Sequence, residues 1–140
     1  MLQRARVLLA DDDLSVRSGV EDLLSPLGLE FVRAEDGTEA LELARAQLSD
    51  LHLLLLDLHM PGLTGLDVFT RLREELEARR RSELAGPSRL RVPPCILYSA
   101  EASEELQSRA IALGAFSFLK KPVVPTALRG EVLRALASAG

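Results

Sequence analysis

The chain is short of cysteine, of lysine and of long apolar runs, and each shortage excludes something. Cys95 is the single cysteine, so no intrachain disulfide can form, and no Cys/His cluster stands at zinc-ligand spacing. The expectation is a reducing, cytoplasmic compartment. The longest unbroken apolar runs, Val7 to Ala10 and Leu53 to Leu56 among them, are far too short to span a bilayer or to form the core of a signal peptide. An excess of positive charge is missing too. The formal net charge of −4 and pI near 5.2 argue against a nucleic-acid binder held by a general positive field. Only Lys120 and Lys121 among the 17 basic residues are lysines, so a lysine at a special position stands out. No G-x-G-x-x-G and no P-loop follows the first apolar run, where aspartates would repel a pyrophosphate.

What is present fits one compact domain, expected to span residues 1–140, with 47% apolar and 27% charged residues. A chain of this size buries roughly two thirds of the surface its unfolded form exposes, so it can fold without disulfides or a structural metal.

Short apolar runs alternate with segments of helical period. Arg6 to Ala10, Leu29 to Ala34, His52 to Asp57, Cys95 to Ser99 and Ala115 to Leu119 read as strands. The uniformly apolar His52 to Asp57 suggests a central strand covered on both faces. Val16, Val20, Leu23, Leu24 and Leu27 form an amphipathic stripe, with Asp13 or Ser15 as candidate cap and Gly28 as the stop. Four more helices are expected: one opened by Asp36-Gly37-Thr38, one from Leu66 through Leu76 toward Arg79-Arg80-Arg81, one over Glu104 to Leu113, and one over Thr126 to Ala139. Five strands alternating strictly with five helices predict parallel strands and right-handed crossovers, the doubly wound α/β class.

In such a sheet ligands bind at the carboxyl ends of the strands, near the switch in strand order. The first strand ends in Asp11-Asp12-Asp13, the third in Asp57 and the fourth in Ser99, while Lys121 lies just beyond the fifth. Asp11, Asp12 and Asp57 converging in one cleft would repel strongly. Lys121 offsets one charge, and a divalent cation with oxygen ligands offsets the rest. Mg²⁺ suits this, since it accepts one or two carboxylates and presents open positions to a phosphate oxygen. A carboxylate there can attack phosphorus to give an aspartyl phosphate, with cation, ammonium and hydroxyl each holding one equatorial oxygen.

VLLADDD (Val7 to Asp13), LLLLDLHMPGLTG (Leu53 to Gly65), ILYSA (Ile96 to Ala100) and GAFSFLKKP (Gly114 to Pro122) together resemble the receiver domain of two-component response regulators, over Arg4 to Ala137. The resemblance implies a flavodoxin-like sheet of order 2-1-3-4-5 and a phosphorelay function. Asp57 is then the phosphoacceptor. Asp11 and Asp12 form the acidic pair, with Asp12 the direct Mg²⁺ ligand of the two and the His59 backbone carbonyl a further one. Ser99 and Lys121 contact the phosphoryl group, Ser99 and Phe118 switch together, and Lys121-Pro122 is a cis peptide. His59 and Glu101, each two residues past a site residue, would tune the phosphoryl lifetime. The donor would be a sensor histidine kinase or histidine phosphotransfer protein, and the output surface helix four, strand five and helix five. No membrane and no nucleic-acid contact by this domain alone is implied. The output partner is left open, as is a phosphorylation-dependent dimer.

Each residue also has a simpler reading: Asp57 as a loop cap, Asp13 as a helix cap, Lys120 as a solvated neighbour, Ser99 as a strand-end hydroxyl, and Phe118 and Cys95 as core residues. His52 and His59 lack a second ligand at metal spacing. A haloacid dehalogenase-type phosphatase could use Asp11 and Asp13 as its Asp-x-Asp, but it needs a later acidic pair, and only Glu131 follows Lys121. A receiver-like scaffold that only binds is a third reading. Two features depart from the family's pattern. The 42 residues from Asp57 to Ser99 exceed its usual spacing, and the excess falls at 78–94. It reads either as a longer third helix with a surface loop containing Gly86-Pro87, or as a contact built from Arg79, Arg80, Arg81, Arg89 and Arg91. Moreover, no output domain follows helix five, which leaves a stand-alone receiver and part of a longer protein as alternatives.

Overall fold

Apolar runs without alternation become strands that are covered on both faces, and here they build the three central strands of the sheet. The computed structural model describes residues 4–82, 90–101 and 103–139. Strands β1 (Arg6–Ala10), β2 (Glu30–Ala34), β3 (Leu53–Asp57), β4 (Cys95–Ser99) and β5 (Ser117–Lys120) are parallel, in the order β2-β1-β3-β4-β5. Helices α1 (Leu14–Leu24), α2 (Gly37–Ala46), α3 (Gly65–Ser82), α4 (Glu104–Ala112) and α5 (Pro125–Ala139) connect them. This is the expected doubly wound α/β fold. No helix among the described residues is long and apolar enough to cross a membrane.

The period of two along β3 divides the core. Leu54 and Leu56 pack with Leu41 of α2 and with Phe69 and Leu72 of α3, whereas Leu53 and Leu55 pack with Val20 of α1 and with Leu128 and Val132 of α5. All four leucines are fully buried, and each contributes roughly 1.5–3 kcal/mol of transfer free energy.

Helix starts follow their caps. The Asp13 carboxylate accepts the Ser15 and Val16 amides at 2.9 and 3.2 Å, and Asp36 accepts the Glu39 amide at 2.8 Å. Asp13 is therefore the N-cap of α1 and is committed to it. Gly28, at φ 66°, ends the 3-10 turn Ser25–Leu27 that continues α1.

Several boundaries shift by a residue or two from the expectation, while α3 extends as the longer-helix reading expected. β5 begins at Ser117 because the Ala115 amide is still bonded to the Ala110 carbonyl at the end of α4. His52 lies outside β3, its Nδ1 accepting the Arg6 amide at 2.9 Å. α3 runs through the arginine run to Ser82, with Arg79, Arg80 and Arg81 exposed. Arg80 donates to the Leu90 carbonyl, and Arg91 is also exposed. Gly86-Pro87 and Arg89 lie outside the described residues.

Candidate functional site

Parallel strands bring all their carboxyl ends to one edge, and Asp11, Asp12, Asp57 and Lys121 meet there. The register pairs Ala10 with Leu56 and Asp57 with Tyr98, so Asp11, Asp57 and the end of β4 lie side by side. Carboxylate oxygens of Asp11, Asp12 and Asp57 all lie within 4.8 Å of one another. Asp11 and Asp57 are 0% and 3% exposed, whereas Asp12 is open to solvent. Lys121 follows β5 across a cis peptide to Pro122. Its Nζ donates to Asp57 Oδ2 at 3.1 Å and stands 3.6 Å from Asp11 Oδ2.

Three carboxylates facing one ammonium make an anion-rich, half-enclosed pocket. Burial pushes the Asp57 carboxyl above its ordinary value, and the neighbouring Asp11 charge adds to this. The Lys121 charge and hydrogen bond and the His59 amide, 3.3 Å from Asp57 Oδ1, oppose the shift without cancelling it. An oxygen-only donor set with surplus negative charge and one solvent-facing member fits a hard divalent cation that keeps some of its waters.

The other predicted residues stand around this centre. Ser99 is buried at the end of β4, its hydroxyl accepting the Glu101 amide at 3.0 Å. The His59 and Glu101 side chains meet at 3.2 Å, joining the loops that follow β3 and β4 across the mouth of the pocket. Phe118 is half-buried on β5 and lines a cavity of about 590 Å³ with Gln107, Ile111, Glu131 and Arg134, between α4 and α5. Lys120 is exposed. Cys95 is buried, and burial raises its thiol pKa.

Sequence reasoning missed two residues that hold Asp11. Arg17, 6% exposed on α1, donates from Nη1 to the Asp11 carbonyl at 2.7 Å. Tyr98 donates its hydroxyl to Asp11 Oδ2 at 2.8 Å, and its ring lies 5.1 Å from Lys121 Nζ. Burial, with the Asp11 charge beside it, raises the Tyr98 phenol far above its ordinary pKa, so it remains a donor. The available signals were an arginine set between the apolar Val16 and Val20, and a tyrosine one residue from the end of an otherwise small or aliphatic strand.

The backbone behind Asp57 is packed just as closely. A Cβ on Gly65 would meet the Asp57 carbonyl oxygen at 2.5 Å and Leu97 Cδ2 at 3.0 Å, so only glycine lets α3 start against β3. Gly65→Ala is expected to lower stability by about 1–3 kcal/mol, read as a lower urea midpoint with an unchanged slope. A midpoint equal to wild type would show that the start of α3 can move away freely.

Comparison with known proteins agrees with this geometry. A family model described as the response regulator receiver domain matches residues 7–133, which sets the phosphatase reading aside. The chain is 30% identical over 131 residues to a probable transcriptional regulator, ycf27, of Cyanophora paradoxa, covering 94% of this chain and 48% of that one. It is 33% identical over 118 residues to the transcriptional regulatory protein PdtaR of Mycobacterium tuberculosis, covering 84% and 49%. The chain thus spans about half the length of these relatives. Among solved structures, the signal receiver domain of the putative response regulator NarL from Mycobacterium tuberculosis superposes with a TM-score of 0.78 at 31% identity, covering 97% of this chain and 98% of that one.

Proposed function

The chain belongs to the response regulator receiver domain family, and from that premise we propose that Asp57 is the phosphoacceptor of a two-component phosphorelay, within a receiver domain spanning 1–140. The observation that carries this is the grouping of three carboxylates within 4.8 Å of one another, with Lys121 at 3.1 Å from Asp57. Asp11, Asp12, Asp57 and the His59 carbonyl would hold Mg²⁺, which when bound neutralises the carboxylates and one phosphoryl oxygen.

The donor is a phosphohistidine on a sensor kinase or phosphotransfer protein. An Asp57 carboxylate oxygen attacks phosphorus, a P–O bond forms and the P–N bond breaks, and the imidazole leaves with its electron pair. Lys121 and Ser99 then hold the other phosphoryl oxygens. For Ser99 this means releasing the Glu101 amide, and its movement lets Phe118 turn inward. The changed surface is α4, β5 and α5. Driving such a switch from 1:99 to 99:1 takes roughly 5.5 kcal/mol of differential stabilisation. Water attack on the acyl phosphate resets it, at a rate tuned by the His59–Glu101 contact. The domain catalyses both steps on itself and acts in the cytoplasm.

Intact-mass analysis after incubation with acetyl phosphate tests the chemistry. One phosphoryl group should be gained with Mg²⁺ and none with a chelator, and borohydride reduction should convert Asp57 alone to homoserine. Modification elsewhere, or none from either acetyl phosphate or a phosphorylated kinase, would sink the proposal.

A further inference from the structure

Asp11 is fully buried, and the oxygens of a buried carboxylate need hydrogen-bond donors. Its Oδ1 accepts the Asp13 amide at 2.9 Å. Its Oδ2 faces two groups, the Tyr98 hydroxyl at 2.8 Å and the Lys121 ammonium at 3.6 Å. Lys121 is closer to Asp57 than to Asp11, and the ring face of Tyr98 lies 5.1 Å from Nζ. One side chain thus touches both charges that flank Asp57: its hydroxyl bonds at 2.8 Å the Asp11 oxygen that Lys121 reaches at 3.6 Å, and its ring seats the ammonium by a cation–π contact. Tyr98 can do this because it is the register partner of Asp57 and shares its face of the sheet. Ser99, one residue on, faces the opposite side. Tyr98 is itself 1% exposed, fixed among Leu55, Ile96 and Leu128.

We propose that Tyr98 is a positioning residue of the cation site, its hydroxyl fixing the Asp11 carboxylate so that the ion pair with Lys121 stays long, at 3.6 Å, and yields to a divalent cation. The inference rests on the reading of Asp11, Asp12 and Asp57 as that site. Without the hydroxyl, the Asp11–Lys121 pair closes up, and an entering cation must break a tighter pair. Without the ring as well, Lys121 loses its seat beside Asp57.

Two variants separate these roles. Tyr98→Phe keeps the ring and removes the donor; Tyr98→Leu removes both. Binding of Mn²⁺, followed through the electron paramagnetic resonance signal of the free ion, is expected to weaken about tenfold in Tyr98→Phe, as for other groups that orient a metal-ligating carboxylate. Its phosphorylation rate should fall at limiting Mg²⁺ and recover as Mg²⁺ is raised. The rate of Tyr98→Leu should not recover at any Mg²⁺ concentration. A purely structural hydroxyl would lower the unfolding midpoint and leave the Mn²⁺ dissociation constant where it was; that result overturns the inference. Wild-type protein that takes up no Mn²⁺ would instead overturn the reading of the three aspartates, and the inference with it.

Discussion

In cation-free buffer at neutral pH, Asp57→Asn is expected to unfold about 2–4 °C above wild type, a gain of ~1 kcal/mol, while accepting no phosphoryl group at all. Both effects come from one carboxylate. Asp57 is 3% exposed, and burial with the Asp11 charge raises its pKa despite Lys121. Between the ordinary carboxylate pKa and this raised value the native state binds more protons than the unfolded state, so stability falls as pH rises through that window. The contribution is complete below the ordinary value and gone above the raised one. An amide carries no such charge and keeps an oxygen for Lys121. Urea midpoints taken from about pH 4 to 8 should therefore separate, with wild type losing stability toward neutral pH relative to the variant.

Divalent cation reverses the order. A ligand bound only by the folded state adds about 2.7 kcal/mol at a hundred times its dissociation constant, and wild type, with all three carboxylates, gains more of it than the variant. A variant less stable than wild type without cation would mean that ionised Asp57 is a net stabiliser. The site would then be balanced by its own residues, with no deficit for a cation to fill.

The fold was legible because its signals were redundant. Leu53 to Leu56 read as a strand covered on both sides, and strict alternation with helices pointed to parallel order without any tertiary information. Asp57 was legible because a charge ending an apolar strand reads as facing the sheet edge where ligands bind, whereas Lys121, just beyond β5, was singled out over Lys120 by its pre-proline position in the family resemblance. Tyr98 was not, because its position says which face it takes but not that its hydroxyl reaches across β3 to Asp11. Arg17 was hidden likewise, since charge in a helix reads as solvent-facing, yet its guanidinium is buried on the Asp11 carbonyl. The β5 boundary slipped because the end of α4 takes the Ala115 amide, a competition between neighbouring elements that apolar period does not record. Asp13 shows the opposite case, a carboxylate beside the site whose simpler reading as a helix cap is the observed one.

Lys121→Ala is expected to separate cation binding from phosphoryl transfer. The ammonium lies 3.1 Å from Asp57 and 3.6 Å from Asp11, so it competes with an entering cation for both oxygens. Its removal should make Mg²⁺ bind more tightly, because the same carboxylates then face no internal positive charge. Transfer depends on Lys121 differently. As the phosphoryl group moves to Asp57, negative charge on its oxygens needs a fixed donor, and losing one such donor costs roughly 10²–10³ in rate. The charge and hydrogen bond of Lys121 also hold the Asp57 pKa down, so without them the pH dependence of phosphorylation should move to higher pH, where enough Asp57 is ionised to attack. Phosphorylation from acetyl phosphate, measured across pH at saturating Mg²⁺, should therefore show both a lower plateau and a displaced midpoint. A displaced midpoint with an unchanged plateau would confine Lys121 to keeping Asp57 ionised. An unchanged profile would mean that neither Asp57 nor the incoming phosphoryl group depends on the ammonium beside it.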